Sequence, residues 1–183
     1  MSKERLKKIE QIFRNSTSPD ELFDAFQDSM KLKVDNLEIY NLLLGNPALS
    51  TDELKMFSEK LIKEFPQNAY DLSMWVARVF ENVENYRGTL DNAIHYYKRA
   101  KEHSPNSSDP LIGILSLFNY DLDIPSNKTI LEFVEKEIGP VKIKSNIYYA
   151  LAEHYKRTGE KQLEIKYSAL AERSSEIENS SDQ

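Results

Sequence analysis

The sequence predicts an all-α protein built of helical hairpins in series, and three observations carry that prediction. Apolar residues recur at the 3.6-residue period of a helix, and no run alternates in the manner of a strand. The third observation is the regular placement of helix-pair ends: the second helices close near Lys33, Pro66, Pro105, Pro140 and Ser174, at spacings of 33, 39, 35 and 34 residues. Five hairpins follow from that interval. A single hairpin covers only part of its own apolar surface, so neighbours must stack on one another.

The elements follow in order. Residues 2–14 place Leu6, Ile9, Ile12 and Phe13 on one helical face, and the small polar residues Asn15 to Ser18 end it. Ser18 before Pro19, Asp20 and Glu21 is a strong helix start: a hydroxyl can cap free amides, proline suits the first helical position, and acids favour the positive end. The second helix is expected to reach about Lys33 with Leu22, Phe23, Phe26 and Met30 buried. A short third helix from Asp35 to Leu44 turns Leu37, Tyr40 and Leu44 inward and stops at Gly45, Asn46 and Pro47. Ser50 with Glu53 has capping-box spacing and opens a fourth helix, with Leu54, Phe57, Leu61 and Phe65 inward before Pro66.

The stretch from Ala69 to Pro105 carries two opposed stripes. Leu72, Trp75, Val76, Val79, Phe80 and Val83 form the first; Leu90, Ala93, Ile94, Tyr97 and Ala100 form the second, which closes at Ser104 and Pro105. Asn85, Tyr86, Arg87 and Gly88 are the expected turn between them. Beyond it, Asp109 and Pro110 start a helix that is apolar almost all round (Leu111, Ile112, Ile114, Leu115, Leu117, Phe118) and is therefore expected to be covered on several sides. Ser126 is the expected cap of an eighth helix, with Ile130, Leu131, Val134 and Ile138 inward and Gly139-Pro140 as its stop. Ile147, Tyr148, Leu151, Ala152 and Tyr155 make the ninth stripe, Thr158-Gly159 the turn, and Leu163, Tyr167 and Leu170 the tenth.

Ala93, Tyr97, Ala100 and Pro105 reproduce the A-x3-aromatic, then Ala, then Pro pattern of a tetratricopeptide second helix, so the chain resembles that family. Leu163, Tyr167 and Leu170 repeat the spacing with larger residues. In the preceding helix, Val76, Ala77 and Phe80 stand where the family places Leu, Gly and Tyr. The resemblance implies a right-handed superhelix of about five hairpins, and the 34-residue period is the family's own. HEAT-like and other helical-hairpin solenoids fit the same pattern. It also implies that Ala100 lies at a crowded helix crossing.

Composition excludes several kinds of function. A net charge of −6 and a sequence pI near 5.2 disfavour a general phosphate-binding surface, so no nucleic-acid partner is expected. The absence of cysteine removes disulfides and thiolate metal sites. Residues 1–14 lack the apolar run of a signal peptide, and nowhere do eighteen apolar residues follow one another; a cytoplasmic protein with no membrane partner is the expectation. One domain over 1–175 and a disordered acidic tail over 176–183 are expected from the same reading.

Chemistry-bearing constellations are sparse. The five glycines make no phosphate-cradling loop. His95 and His103, eight residues apart on one helix, stand about 12 Å apart and cannot share one metal; with His154 they read as solvated or packing residues. Asp121 and Asp123 lack the glycine and closing glutamate of a calcium loop, and Glu132, Glu135 and Glu137 read as a solvated helix face. No catalytic residue, metal or cofactor is expected, and an enzyme using unrecognised surface carboxylates is the remote alternative.

In the family this chain resembles, the off-stripe residues of the first helices line the concave surface that receives partner peptides. The resemblance carries that role to Asp71, Met74, Arg78, Glu81 and Asn82, and to Asn146, Tyr149, Glu153, Lys156 and Arg157. Met74 and Tyr149 occupy equivalent places, both large residues on otherwise polar faces: either the two anchors of that surface or a cover for the neighbouring hairpin. Carboxylate-clamp members present Lys and Asn at set places; Asp71, Arg78, Asn146 and Glu153 do not supply that set, so chaperone tails are not the expected partner. The expected function is a non-catalytic scaffold for a peptide or protein segment. A homodimer through exposed apolar helix faces is the alternative, and oligomeric state discriminates the two.

Overall fold

The structure, a computed structural model, describes residues 3–82 and 86–180, and the side chains of all of these except 86–88. Ten α-helices and one 3-10 turn occupy the described residues, with no strand among them. They are α1 (Lys3–Asn15), α2 (Pro19–Lys31), α3 (Leu37–Leu44), α4 (Thr51–Glu64), α5 (Ala69–Glu81), α6 (Tyr86–His103), α7 (Asp109–Ser116), α8 (Pro125–Glu137), α9 (Ser145–Thr158) and α10 (Lys161–Ser180); the 3-10 turn is Pro66–Asn68. Among the described residues no helix is long and apolar enough to cross a membrane. The chain divides into two compact units, Met1–Asn82 and Val83–Gln183.

In the first unit, α1 lies against α2 and also against α3, α3 against α4 and α5, and α4 against α5. First helices thus neighbour first helices, while each also touches a second helix. The sequence signals explain the ends: Ser18 accepts from the Glu21 amide with Pro19 in the first turn, Asn36 accepts from Ile39, and Ser50 with Glu53 forms a complete capping box. The Ser50 hydroxyl and amide hold the Glu53 carboxyl below the usual range. Leu22, Phe26, Leu43, Phe57 and Leu61 fill the core. Phe23, expected inside, is 41% exposed at the rim, its ring 6.3 Å from Phe57.

Polar side chains fasten one hairpin to the next. Buried Asn46, after α3, donates to the carbonyls of Phe13 and Ser16 at the end of α1, at 2.9 and 3.0 Å, and so satisfies acceptors that a helix end leaves open. Asp35 accepts from Gln67 and Asn68 at 2.9 and 2.8 Å, and the Trp75 indole donates to the Asn41 carbonyl at 3.1 Å. These bonds span 30 to 34 residues.

The second unit follows the same neighbour rule: α6 packs on α7, α7 on α8 and α9, and α9 on α10. As expected, the nearly all-apolar α7 is covered by three helices. Gly113 makes this approach possible, because a Cβ there would stand 2.4 Å from the buried Tyr97 ring of α6. Ala93 and Ala100 of α6 are fully buried. Buried Lys101 donates to the carbonyls of Pro105 and Ser107, closing the turn before α7; burial pushes its ammonium pKa below the ordinary lysine value. Gly159 takes a left-handed φ of 81° and, with Glu160 donating to the Tyr155 carbonyl at 2.9 Å, ends α9.

Three expectations change. Tyr86, Arg87 and Gly88 belong to the first turn of α6 and not to a connecting turn, while Val83 and Asn85 lie outside the described residues. The cap of α8 is Ile124 with Pro125 in the first turn; Ser126 sits within the helix. Asn127 instead organises the preceding loop, donating to the carbonyls of Asn119 and Leu122 and accepting from the Asn119 amide. Lastly, α10 runs to Ser180, into the stretch expected to be a disordered tail, because Glu178 is tied down; 181–183 lie outside the described residues.

Candidate functional site

The residues assigned to a partner surface fall in both units, and each set is described within its own. On α5, Asp71, Arg78 and Glu81 are exposed, as is Asn82 at the cap, where its amide side chain donates to the Arg78 carbonyl at 2.7 Å. Met74 is not on that face: only 7% of its surface is exposed. The buried side of α5 is rotated from the expected Leu72–Trp75–Val79 stripe toward Ser73, Met74 and Ala77, while Trp75 and Val79 are half-buried. The reason is packing. α5 lies against α3 and α4 together, which demands a wide buried face, and Ser73 and Ala77 are fully buried within it. Met74 therefore belongs to the core of the first unit.

On α9 the five assigned residues, Asn146, Tyr149, Glu153, Lys156 and Arg157, are all exposed, and Tyr149 keeps 50% of its surface in solvent. The helix faces inward with Ile147, Leu151, His154 and Tyr155, which fixes the opposite side outward. Lys156 and Glu153 approach to 3.6 Å as an exposed pair, an interaction of little net energy in water. Arg157 lies over the Tyr120 ring, 3.8 Å from its centroid, which ties the guanidinium to the loop between α7 and α8.

Beneath that face is a polar and aromatic assembly that the sequence did not announce. Tyr120 and the Nδ1 of buried His154 are 3.0 Å apart, and the imidazole meets the rings of Phe118 and Tyr155 edge-on at 4.5 and 5.0 Å. Its Nε2 is buried without a partner. Burial lowers the His154 pKa below the ordinary value, against the opposing pull of Glu160 and Glu135. Tyr155 and Tyr167 stack with centroids 5.4 Å apart and both donate to one oxygen of Glu135, at 2.9 and 2.8 Å. Burial, reinforced by these bonds to Glu135, raises both phenol pKa values far above the usual tyrosine range. Glu135 is thus a clasp on two helices rather than part of a merely solvated face.

The amino end of α9 has no side-chain cap of its own; Glu178 of α10 supplies one. Its carboxylate accepts from the Lys144 amide at 2.7 Å, the Ser145 amide at 3.2 Å and the Ser145 hydroxyl at 2.5 Å. Burial works against the charge, but these bonds prevail and hold the Glu178 pKa below the usual carboxylate range. No signal near residue 145 or 178 announces this contact, since the partners are 33 residues apart. Among the described residues no three His, Asp or Glu side chains gather in metal-binding geometry. Compared with protein-family models, curated proteins and solved structures, the chain matches none.

Proposed function

We propose that the chain is a tetratricopeptide-like array of helical hairpins that works without catalysis, as a scaffold taking a peptide or protein segment on the outward face of α9. The observation that carries this reading is Tyr149, a large aromatic half in solvent on a helix whose inward face is already filled, with Asn146, Glu153, Lys156 and Arg157 around it. Aromatic anchors surrounded by polar groups are where binding energy concentrates in protein interfaces. The repeat reading is supported by bonds that cross one interval: Tyr120 to His154 over 34 residues, Tyr167 to Glu135 over 32 and Lys144 to Glu178 over 34, beside those of the first unit. A peptide suits such a face better than a small polar metabolite, which needs a concave pocket.

The test is affinity purification from the native host with mass spectrometry, then calorimetric titration of the recovered partner against Tyr149→Ala. Binding should weaken by about 1 kcal/mol or more, with thermal unfolding nearly unchanged. Undiminished binding would remove this face from consideration.

A further inference from the structure

We propose that the groove between α1 and α2 is the surface on which two copies of this chain dimerise. It is distinct from the α9 face and rests on different residues. The groove encloses about 360 Å³, with Ile9, Ile12, Ala25 and Leu32 toward its floor. Its two walls carry opposite charge. Arg5 and Lys8 stand on the α1 side, Glu21, Asp24 and Asp28 on the α2 side, all exposed. On a helix turning 100° per residue, the acidic set lies across from Leu22 and Phe26, which pack inward against Phe57 of α4, so the groove faces away from the rest of its unit.

The walls do not neutralise each other within one chain. Arg14 pairs with Glu10 and Lys31 with Asp28 along their own helices, whereas no ion pair within 4 Å joins Arg5 or Lys8 to Glu21, Asp24 or Asp28 across the groove. A second copy can complete them, and the charge arrangement selects how. A two-fold axis running parallel to the helices lays α1 of each copy over α2 of the other at the same level along the groove, antiparallel, so that Lys8 meets Asp24 twice. The perpendicular two-fold would lay α1 on α1 and oppose like charges. The first arrangement is a self-complementary four-helix contact of the kind closed dimers use.

Sedimentation equilibrium on the full chain reads the outcome. We expect a dimer that weakens as salt rises from about 50 to about 500 mM, as screening of exposed charge requires. Lys8→Glu and Asp24→Lys should each raise the dissociation constant by about tenfold or more, because each puts like charges face to face. The combined Lys8→Glu/Asp24→Lys variant should recover dimerisation, since exchanging both walls restores the complement. Circular dichroism of each variant checks that helicity is kept, and Arg5→Glu replaces Lys8→Glu should that variant fail to fold. A chain that stays monomeric at every concentration overturns the proposal. So does a dimer indifferent to both single reversals, or one that the double exchange does not restore. Tyr149→Ala should leave dimerisation untouched, which keeps this result separate from partner binding on α9.

Discussion

The two units solve one problem with different chemistry. Each must bind a hairpin to the next across an interval of some 34 residues, and each does so with polar side chains that reach a whole hairpin away. In Met1–Asn82 these are neutral groups on backbone carbonyls, Asn46 and Trp75, with Asp35 at the exposed edge, above a core of Phe26, Phe57 and Leu61. In Val83–Gln183 they are titratable or carboxylate-bound: His154 with Tyr120, Tyr155 and Tyr167 with Glu135, Ser145 with Glu178. The second unit also leaves more large apolar surface in solvent, at Leu122, Ile143, Tyr149, Ile165 and Ile177, against Phe23 and Met56 in the first. Joints that fall at similar sequence intervals are therefore made with different chemistry in the two units.

The comparison breaks most visibly at Phe57. Truncation to Ala in the first unit should cost about 3–5 kcal/mol in urea unfolding, the usual range for a buried aromatic, because Phe26 and Phe23 lose a common partner. A cost under about 1 kcal/mol would show that this core is looser than described. In the second unit the matching experiment is Glu135→Ala, expected at about 2–4 kcal/mol since two buried phenols are left without an acceptor. Glu135→Gln retains a carbonyl oxygen and should lose much less; equal losses would mean that the clasp is not what matters.

Sequence periodicity reached the helices and their order, because stripes and caps are local: Ser50 with Glu53 and the turn at Gly159 need only neighbours within a few residues. It did not reach the joints. Asn46, Asn127, Glu135 and Glu178 are ordinary polar residues until a partner one hairpin away is brought to them, and no window of a dozen residues contains both ends. Met74 failed for a related reason, since the width of a buried face depends on how many helices press on it. Of the residues assigned to a partner surface, those on α9 are exposed because that helix has a side turned away from its packing neighbours, and Tyr149 is the large side chain among them.

Smaller effects sharpen the contrast further. Gly113→Ala should destabilise by about 1–3 kcal/mol through overpacking against Tyr97, despite alanine's better helix propensity. A stabilised variant in thermal melts would mean that the ring yields. The smallest effect is one of pH. His154 is neutral in the fold with its pKa lowered from about 6.5, so its contribution is complete above that value and is lost as pH falls from there through its lower folded pKa. Glu53 and Glu178, with lowered carboxyl pKa values, add their losses only as pH falls below about 4.5. Melts between pH 7 and 5 should thus show a decline in the wild type that His154→Phe removes, with Glu53→Gln leaving it in place; a decline that persists in His154→Phe would locate the titration elsewhere.

The contact between Glu178 and the start of α9 ties the order of synthesis to the order of folding. Helix α9 leaves the ribosome with the amides of Lys144 and Ser145 bare, and the group that satisfies them is made more than thirty residues later, almost at the end of α10. The first turn of α9 gains this cap only once α10 has folded back along it. An expression product stopped at Ser175, where composition alone would draw the boundary, keeps every apolar residue of α9 and still omits the carboxylate that finishes it.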